Sequence, residues 1–201
     1  MKPLKLCLLL LTGFILQQNI PGQDLPFNDS VNKIEYLGIN EYPNCSKSDL
    51  YYLAKEWLLI NDFIVLMEDS ASTRILAEKM FKSHYPGDNL LFSSDLSRDR
   101  GIRYNLILDF KNNRVRYNFT NFKILKFKDP YTYTIQGNNI PYVIKEDEGE
   151  IIISDAEDYY PIEKTESSQR KAYKYFFREI DDKVTTLQAG LKLYLGQRED
   201  W

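Results

Sequence analysis

Six polar side chains between positions 101 and 125 are the strongest candidates for binding chemistry, because they alternate with apolar residues along two predicted strands. Arginine can donate two parallel hydrogen bonds to a carboxylate, and amide and hydroxyl groups both donate and accept. An ordinary solvated sheet face is the alternative, with a cross-strand ion pair worth well under about 1 kcal/mol. The six residues form a candidate binding floor for a carboxylate, a glycan or a peptide: Arg103, Asn105, Asp109, Arg116, Asn118 and Thr120.

A β-hairpin is the element that would position these side chains. Its turn is predicted at Asn112-Asn113, since asparagine tolerates the positive φ that a two-residue primed turn requires. This turn sets Leu106 opposite Phe119 and Leu108 opposite Tyr117 on an apolar face. On the polar face it sets Asp109 opposite Arg116, Ile107 opposite Asn118, and Asn105 opposite Thr120. One face of the hairpin is therefore predicted to be core, and the other to be open to water or to a partner.

The sequence predicts no set of catalytic residues. His84 is the only histidine, and without a second one to share a metal ion we expect it on the surface. The sequence contains no G-x-S-x-G segment, which would place a serine nucleophile on a sharp turn. Glu68 and Asp69 could be the acid and base of a glycosidase, but neighbouring residues of a strand point to opposite faces.

An acidic group in the last third of the chain could in principle bind Ca²⁺ through its oxygens. It lacks the spacing and the turn glycine of an EF-hand loop, so we interpret it as a solvated charged surface. We therefore expect neither a metal ion nor a cofactor. The group consists of Glu146, Asp147, Glu148, Glu150, Asp155, Glu157 and Asp158.

Residues 1–22 have the pattern of a secretory signal peptide. Lys2 and Lys5 precede an apolar run over residues 6–16, and a polar stretch then leads to the small residue Gly22. The run is too short for a membrane-spanning helix, which needs about 20 residues. We expect cleavage between Gly22 and Gln23 and export to the periplasm or cell envelope, with an uncleaved anchor as the alternative.

The mature chain is expected to be a mildly acidic single domain. Removing Lys2 and Lys5 from the 26 basic residues leaves 24 against 29 acidic ones, a formal net charge of −5. This balance argues against a general nucleic-acid binder, which needs a basic surface. Cys45 is the single mature cysteine and cannot form an intramolecular disulfide. We expect it to be buried, with a reactive thiol or an intermolecular bridge as alternatives.

The remaining elements are predicted from periodicity and capping. A flexible leader over residues 23–32 precedes a strand over residues 33–39, and Ser46 begins a helix. Strands follow over residues 63–67 and 73–81, with Ile75, Ala77 and Phe81 predicted to point inward. The apolar stripe of the helix recurs at helical spacing: Leu50, Leu53, Ala54, Trp57 and Leu58.

The C-terminal part divides into an arm and a second helix. Residues 129–164 are rich in proline, glycine and asparagine, and are predicted to form an inserted β-arm. The tyrosines of this arm could line the side of the candidate binding floor, or they could form a small core of their own. Ser168 is expected to cap a long helix that ends at Gly196. Together the elements predict an α+β domain over residues 33–201, in the order β-α-β-β-β-β-(arm)-α, with two helices on one face of a curved antiparallel sheet.

Part of this chain resembles a known family. Over residues 46–125 it is similar to secreted Bacteroidetes proteins of unknown function whose domain has a fold like that of the TATA-box-binding protein. The resemblance implies the two-helix, curved-sheet fold and export, and it implies no catalytic residues. DNA binding does not follow from it, since fold does not dictate function. The residues that carry it are Leu50, Tyr51, Trp57, Asp69, Ile75, Lys111, Asn112, Arg114, Arg116 and Tyr117.

These observations predict an exported, non-enzymatic binding domain. Its partner would be an envelope protein, a peptide or a glycan, and neither a nucleic acid nor a membrane span in the mature chain is expected. An envelope hydrolase with an unidentified site is the alternative. A deep cleft holding His84 beside carboxylates would favour the hydrolase, whereas a shallow surface lined by arginine and tyrosine would favour binding.

Overall fold

The structure is a computed structural model and describes residues 25–69, 71, 73–86, 96–128 and 151–197. A small antiparallel pair, β1 (Phe27–Asn28) and β2 (Lys33–Ile34), precedes a six-stranded antiparallel sheet and two long helices. The elements of the main body are β3 (Tyr36–Glu41), α1 (Lys47–Ile60), β4 (Ile64–Asp69), β5 (Arg74–His84), β6 (Leu96–Lys111), β7 (Arg114–Lys128), β8 (Ile151–Asp155) and α2 (Arg170–Gly196). The predicted α+β class and the predicted element order are confirmed.

The main sheet has the strand order β3-β7-β6-β5-β4, and β8 follows β3 along the same edge of β7. The long β6–β7 hairpin is at its centre, and its register is the predicted one: Leu106 is opposite Phe119, Leu108 is opposite Tyr117, and Asp109 is opposite Arg116. The hairpin register is therefore confirmed.

A β-bulge in β7 changes the alternation of that strand. Thr120 is opposite Asn105 and Lys123 is opposite Arg103, so Asn121 and Phe122 together face Tyr104. Asn121 has a φ of 59°, a conformation that asparagine adopts more readily than most residues. As a result the buried residues of β7 change from odd to even positions, and Phe122 reaches the core together with Phe119.

The hairpin turn differs from the predicted primed type. Only Asn113 has a positive φ, of 65°, whereas a type I′ turn requires it at both central residues. The turn is held instead by the segment between β3 and α1. Asn112 Oδ1 accepts a hydrogen bond from the Lys47 amide at 3.0 Å, and the Asn113 amide donates to the Cys45 carbonyl at 3.0 Å. Cys45 itself is buried, as expected.

Helix α1 forms where its cap and its stripe predict it. The Ser46 hydroxyl accepts a hydrogen bond from the Asp49 amide at 3.1 Å, which satisfies one of the unpaired amides at the helix start. Trp57 is only 2% exposed and lies at the centre of the buried stripe. Its ring contacts that of Phe63 with centroids 5.6 Å apart. The burial of Trp57 in the core shared by the sheet and the helices is confirmed.

Helix α2 contacts α1 and completes the cover over the same face of the sheet. It begins one residue later than Ser168 would require, with Gln169 at the cap position and no side-chain capping bond. It ends at Gly196, as predicted. Apolar residues at steps of four and three along α2 are all buried: Ala172, Phe176, Ile180, Val184, Leu187, Leu191 and Leu195.

Three segments differ from the prediction. The described part of the predicted leader is folded: Phe27 and Asn28 pair with β2, and the Leu25 carbonyl accepts a hydrogen bond from the Tyr160 hydroxyl at 3.3 Å. The predicted strand over residues 33–39 is two strands, β2 and β3. The end of the predicted arm belongs to the main sheet, since β8 pairs with β7. Residues 129–150 of that arm lie outside the described residues.

Candidate functional site on the open face of the sheet

A row of alternating charges crosses the face of the sheet that the helices leave uncovered. Asp109 lies between two arginines, with its Oδ1 2.6 Å from Arg74 Nε and its Oδ2 2.6 Å from Arg116 Nη2. Arg116 Nε donates a second bond to Oδ2 at 3.0 Å. Partial burial raises the pKa of Asp109, but the hydrogen bonds from the two arginines outweigh this and hold the pKa below its ordinary value. Asp109 therefore already occupies the fork of Arg116.

Two of the other predicted floor residues also have polar partners within the fold. Arg103 Nε lies 3.7 Å from Glu78 Oε2 across the β5–β6 pair, and Asn118 Nδ2 donates to Glu35 Oε1 at 3.2 Å. Asn105 lies opposite Thr120. Thr120 is buried, with 7% exposed, so it does not offer an accessible hydroxyl. The structure thus brings the six residues onto one face, but it places a carboxylate beside each of the two arginines, Arg103 and Arg116.

An apolar stripe runs across the same face beside the charge row, and the sequence pattern did not predict it. We define the apolar stripe as Leu37, Ile107, Leu76 and Met67, which follow one another through the cross-strand register from β3 to β4, with Asn118 between the first two. Leu37 is 62% exposed and Met67 is 47% exposed. Six further apolar side chains on the sheet strands are also exposed: Ile39, Ile64, Val65, Leu66, Met80 and Ile153. Ile107, an apolar residue within the otherwise polar alternation of β6, was the signal that could have revealed the stripe.

A shallow depression lies at the turn end of the hairpin, next to the charge row. Its volume is about 340 Å³, and its lining includes Ile39, Asp109, Phe110, Lys111, Arg114 and Arg116. Lys111 and Arg114 are directly opposite each other in the register and both are exposed. A second depression, of about 480 Å³, adjoins it on the side of Glu41 and Pro43 and shares Lys111 and Arg114. The two cations therefore stand between two concave surfaces.

The residues considered for catalysis are not brought together. His84 Nδ1 lies 2.5 Å from Asp99 Oδ1, and both side chains are more than half exposed. Glu68 accepts hydrogen bonds from the Tyr51 hydroxyl at 2.5 Å and from Lys55 Nζ at 2.8 Å, beneath helix α1. Asp69 is opposite Arg74 on the other face of the strand. Glu68 and Asp69 therefore point apart, as expected for neighbours on a strand.

A hydroxyl cluster at the β8 edge was also absent from the sequence prediction. Lys126 Nζ donates to the Tyr159 hydroxyl at 2.5 Å, and that hydroxyl donates to Ser154 Oγ at 3.1 Å. The Tyr159 ring stacks on Tyr173 of α2 with centroids 4.1 Å apart. Burial raises the pKa of Tyr159, but hydrogen bonding to the ionised form, above all from Lys126, outweighs it and leaves the pKa below its ordinary value. The cluster ties α2 to β7 and β8.

Two further kinds of feature are absent from the described ranges. Within them no group of three or more histidine, cysteine, aspartate or glutamate side chains is arranged to hold a metal ion. None of the described helices is long and apolar enough to cross a membrane.

An antiparallel sheet that carries two helices on one face and leaves the other face open defines an α+β domain of the TBP-like class. Two solved structures share this fold. A TBP-like protein from Parabacteroides distasonis matches with a TM-score of 0.53 at 15% identity, covering 87% of this chain and 99% of that chain. A DUF4468 family protein from Bacteroides ovatus matches with a TM-score of 0.53 at 14% identity, covering 88% of this chain and 93% of that chain.

The comparisons establish the fold and leave the function to be argued from the surface. No protein-family model matches this chain, and no curated protein matches it either. Both structural neighbours come from Bacteroidetes, which agrees with the group of organisms named by the sequence resemblance. At this identity the likeness concerns the fold alone.

Proposed function

We propose that this chain is an exported binding domain of the periplasm or cell envelope, and that the open face of its sheet binds an extended segment of another envelope protein. The observation that carries the proposal is the apolar stripe. Leu37 and Met67 are exposed at the two ends of the stripe, and Ile107 and Leu76 are half-buried between them. Clustered exposed apolar side chains on a domain surface are typical of an interaction site. Export is supported by the signal-peptide pattern of residues 1–22.

The dimensions of the stripe suit a short extended chain. It crosses five strands, from β3 to β4, which at about 4.8 Å between neighbouring strands corresponds to about 19 Å. An extended segment of about six residues has the same length at about 3.3 Å per residue. Its apolar side chains would cover Leu37 and Met67, while its polar groups would meet the charge row of Arg116, Asp109 and Arg74. An apolar centre with a polar border is the usual anatomy of a protein interface.

Electrostatics make a nucleic acid a poor alternative partner. Arg74 and Arg116 share one carboxylate, and Arg103 lies near Glu78, so acidic side chains are interspersed among the three arginines of this face. A phosphate backbone requires a surplus of positive charge. The mature chain instead carries a formal surplus of negative charge.

The hydrolase alternative has one observation in its favour. Lys126 donates to Tyr159, whose pKa lies below its ordinary value, and Tyr159 is hydrogen-bonded to Ser154. A phenolate there could take the proton of the serine hydroxyl. We rank this function second because the Tyr159 ring is stacked on Tyr173 and the cluster joins three elements, which accounts for the contacts without chemistry.

A pull-down with matched variants tests the proposal. The mature domain is immobilised and exposed to envelope extract of the native host, alongside the stripe variant Leu37→Ser/Met67→Ser. The control is Leu59→Ser/Leu193→Ser, which removes two apolar side chains of similar exposure, 70% and 64%, from the helices. We expect the control to retain the protein partners of the wild type and the stripe variant to lose them.

Two results would contradict the proposal. If the stripe variant recovers the same proteins in the same yield, the open face is not the binding surface. If the captured material resists protease but is destroyed by glycosidases, the ligand is a glycan and the proposed class of partner is wrong.

A further inference from the structure

We propose that the depression at the turn end of the β6–β7 hairpin binds a carboxylate of the bound protein segment, with Arg114 and Lys111 as its ligand-binding cations. This inference rests on the proposed function and adds the chemistry that gives it direction. The ligand-binding cations differ from those of the sequence prediction, which included Arg103 and Arg116 in the candidate binding floor.

Three arginines of the open face already lie beside carboxylates. Arg116 and Arg74 both bind Asp109, and Arg103 lies within 4 Å of Glu78. In contrast, within the described ranges no carboxylate lies within 4 Å of Arg114 or Lys111. A guanidinium that already binds a carboxylate attracts a second one less strongly, because its charge is partly balanced and its best-placed donors are bonded. Within the described part of the chain, Arg114 binds no such carboxylate.

The two cations Lys111 and Arg114 repel each other. Lys111 and Arg114 are directly opposite each other across the hairpin, where side-chain Cβ atoms lie about 5 Å apart and like charges destabilise the pair. Glu41, the cross-strand neighbour of Arg114 on β3, is the acidic residue nearest in the register. An anion placed between the two cations would relieve their repulsion, so the unbound domain is poised to accept one.

The charges around the depression suit a single carboxylate. Its lining includes three cations, Lys111, Arg114 and Arg116, one carboxylate, Asp109, and the apolar side chain of Ile39. Glu41, opposite Arg114, reduces the surplus further. A singly charged group suits the remaining surplus, whereas a polyanion would also meet Asp109 and Glu41. A carboxylate matches the planar fork of arginine.

The depression lies next to the β3 end of the apolar stripe. Ile39 lines the depression and is two residues from Leu37, which begins the apolar stripe on the same face of β3. A segment that lies along the stripe would therefore reach the depression at its β3 end. We expect it to present an acidic side chain or a C-terminal carboxylate there.

A random-peptide display selection on the mature domain tests this inference, since such a selection does not require the partner to be identified first. The selection is run on the wild type, on Lys111→Gln/Arg114→Gln, and on the control Lys171→Gln/Arg178→Gln, which removes two exposed cations from α2. We expect apolar peptides with an acidic residue at one end to be enriched on the wild type and on the control. On Lys111→Gln/Arg114→Gln we expect the apolar preference alone.

The affinity of one enriched peptide then gives the magnitude. Replacing its acidic residue by the amide should weaken binding to the wild type at least about tenfold, as expected for a hydrogen bond to a charged group. The same replacement should have no effect on Lys111→Gln/Arg114→Gln. An acidic preference that persists in this variant, or apolar peptides without any acidic preference on the wild type, would overturn the carboxylate site and leave the proposed function standing. Enrichment of no peptide on any of the three proteins would overturn both.

Discussion

Replacing Gly38 by alanine should destabilise the pairing of β3 with β7 through a single contact. Gly38 is directly opposite Tyr117, and the ring of Tyr117 lies over the glycine. An added Cβ would overlap Oη and Cζ of that ring and would lie 2.9 Å from Cε1. Because real Cβ atoms do not approach other atoms so closely, either the ring or the strand must move.

The expected cost is about 1–3 kcal/mol of unfolding free energy, the range for an extra methyl group in a packed site. The overlapping atoms belong to the outer end of a half-buried ring, so the ring can swing aside. It would then lose its contact with Phe119, whose ring centroid is 6.1 Å away. The cost is therefore the lost packing of Tyr117, since the backbone of β3 can remain in place.

Urea unfolding of a double-mutant cycle measures this cost. In a Tyr117→Ala background the obstacle is absent, and Gly38→Ala should change stability by less than about 0.5 kcal/mol or raise it, because alanine is less flexible than glycine in the unfolded chain. Gly190→Ala is the matched control, since its added Cβ would lie 3.7 Å from Trp57 Nε1, an ordinary contact. Within α2 it should gain up to about 1 kcal/mol.

Two outcomes would refute the reasoning. A Gly38→Ala protein as stable as the wild type would show that the ring does not cover the glycine. An equal cost in the presence and absence of Tyr117 would show that the backbone of β3, rather than this contact, sets the penalty.

The remaining predictions concern the core, two titrating groups and export. Trp57→Ala should lower the unfolding free energy by about 3–5 kcal/mol in urea unfolding, as for other buried aromatic side chains. Because the pKa of Asp109 is lowered in the folded state, its contribution to stability is present above its unfolded pKa of about 3.9 and is lost as the pH falls through its folded value. Asp109→Asn should therefore flatten the acid side of a plot of Tm against pH. Lys126→Met should raise the pKa of Tyr159, measured by the ultraviolet absorbance of tyrosinate, since the hydrogen bond that favours the ionised form is removed. Mass spectrometry of the native protein should find a mature N-terminus at or next to Gln23.

Each of these has a contradicting outcome. A Trp57→Ala protein within about 1 kcal/mol of the wild type would contradict its place in the core. An unchanged acid limb in Asp109→Asn would show that other carboxylates control it, and an unchanged tyrosinate titration in Lys126→Met would show that Lys126 does not lower the pKa of Tyr159. Recovery of an intact N-terminal methionine from the native protein would contradict cleavage of the signal peptide.

Local pattern was sufficient to predict the hairpin and the two helices. The alternation of residues around Leu106 and Leu108 and the asparagine pair at the turn determine the register, since a slip by one residue would move every apolar side chain to the water face. The stripe of α1 and its serine cap likewise depend only on residues within a few positions of one another. The faces of these elements, and therefore the α+β class, follow from the sequence alone.

Contacts between distant residues decided what sequence reasoning could not. The bulge at Asn121 has no clear local signal and depends on Phe122 reaching the core, and β8 joins the sheet by pairing with β7. The described part of the leader is folded because β1 pairs with β2 and because Tyr160, far away in sequence, binds the Leu25 carbonyl.

The same distinction applies to the candidate site. The sequence placed Arg103 and Arg116 on one face of the hairpin, and the structure agrees. Arg74, which shares Asp109 with Arg116, and Glu78, which lies beside Arg103, both belong to the neighbouring strand β5. The hairpin sequence therefore could not show that acidic side chains lie beside both arginines. The apolar stripe likewise exists only when β3, β5 and β4 lie beside the hairpin in this register. The surface of a sheet is formed by residues that are neighbours in space and distant along the chain. The strand order therefore decides which charged and apolar side chains lie next to one another on that surface.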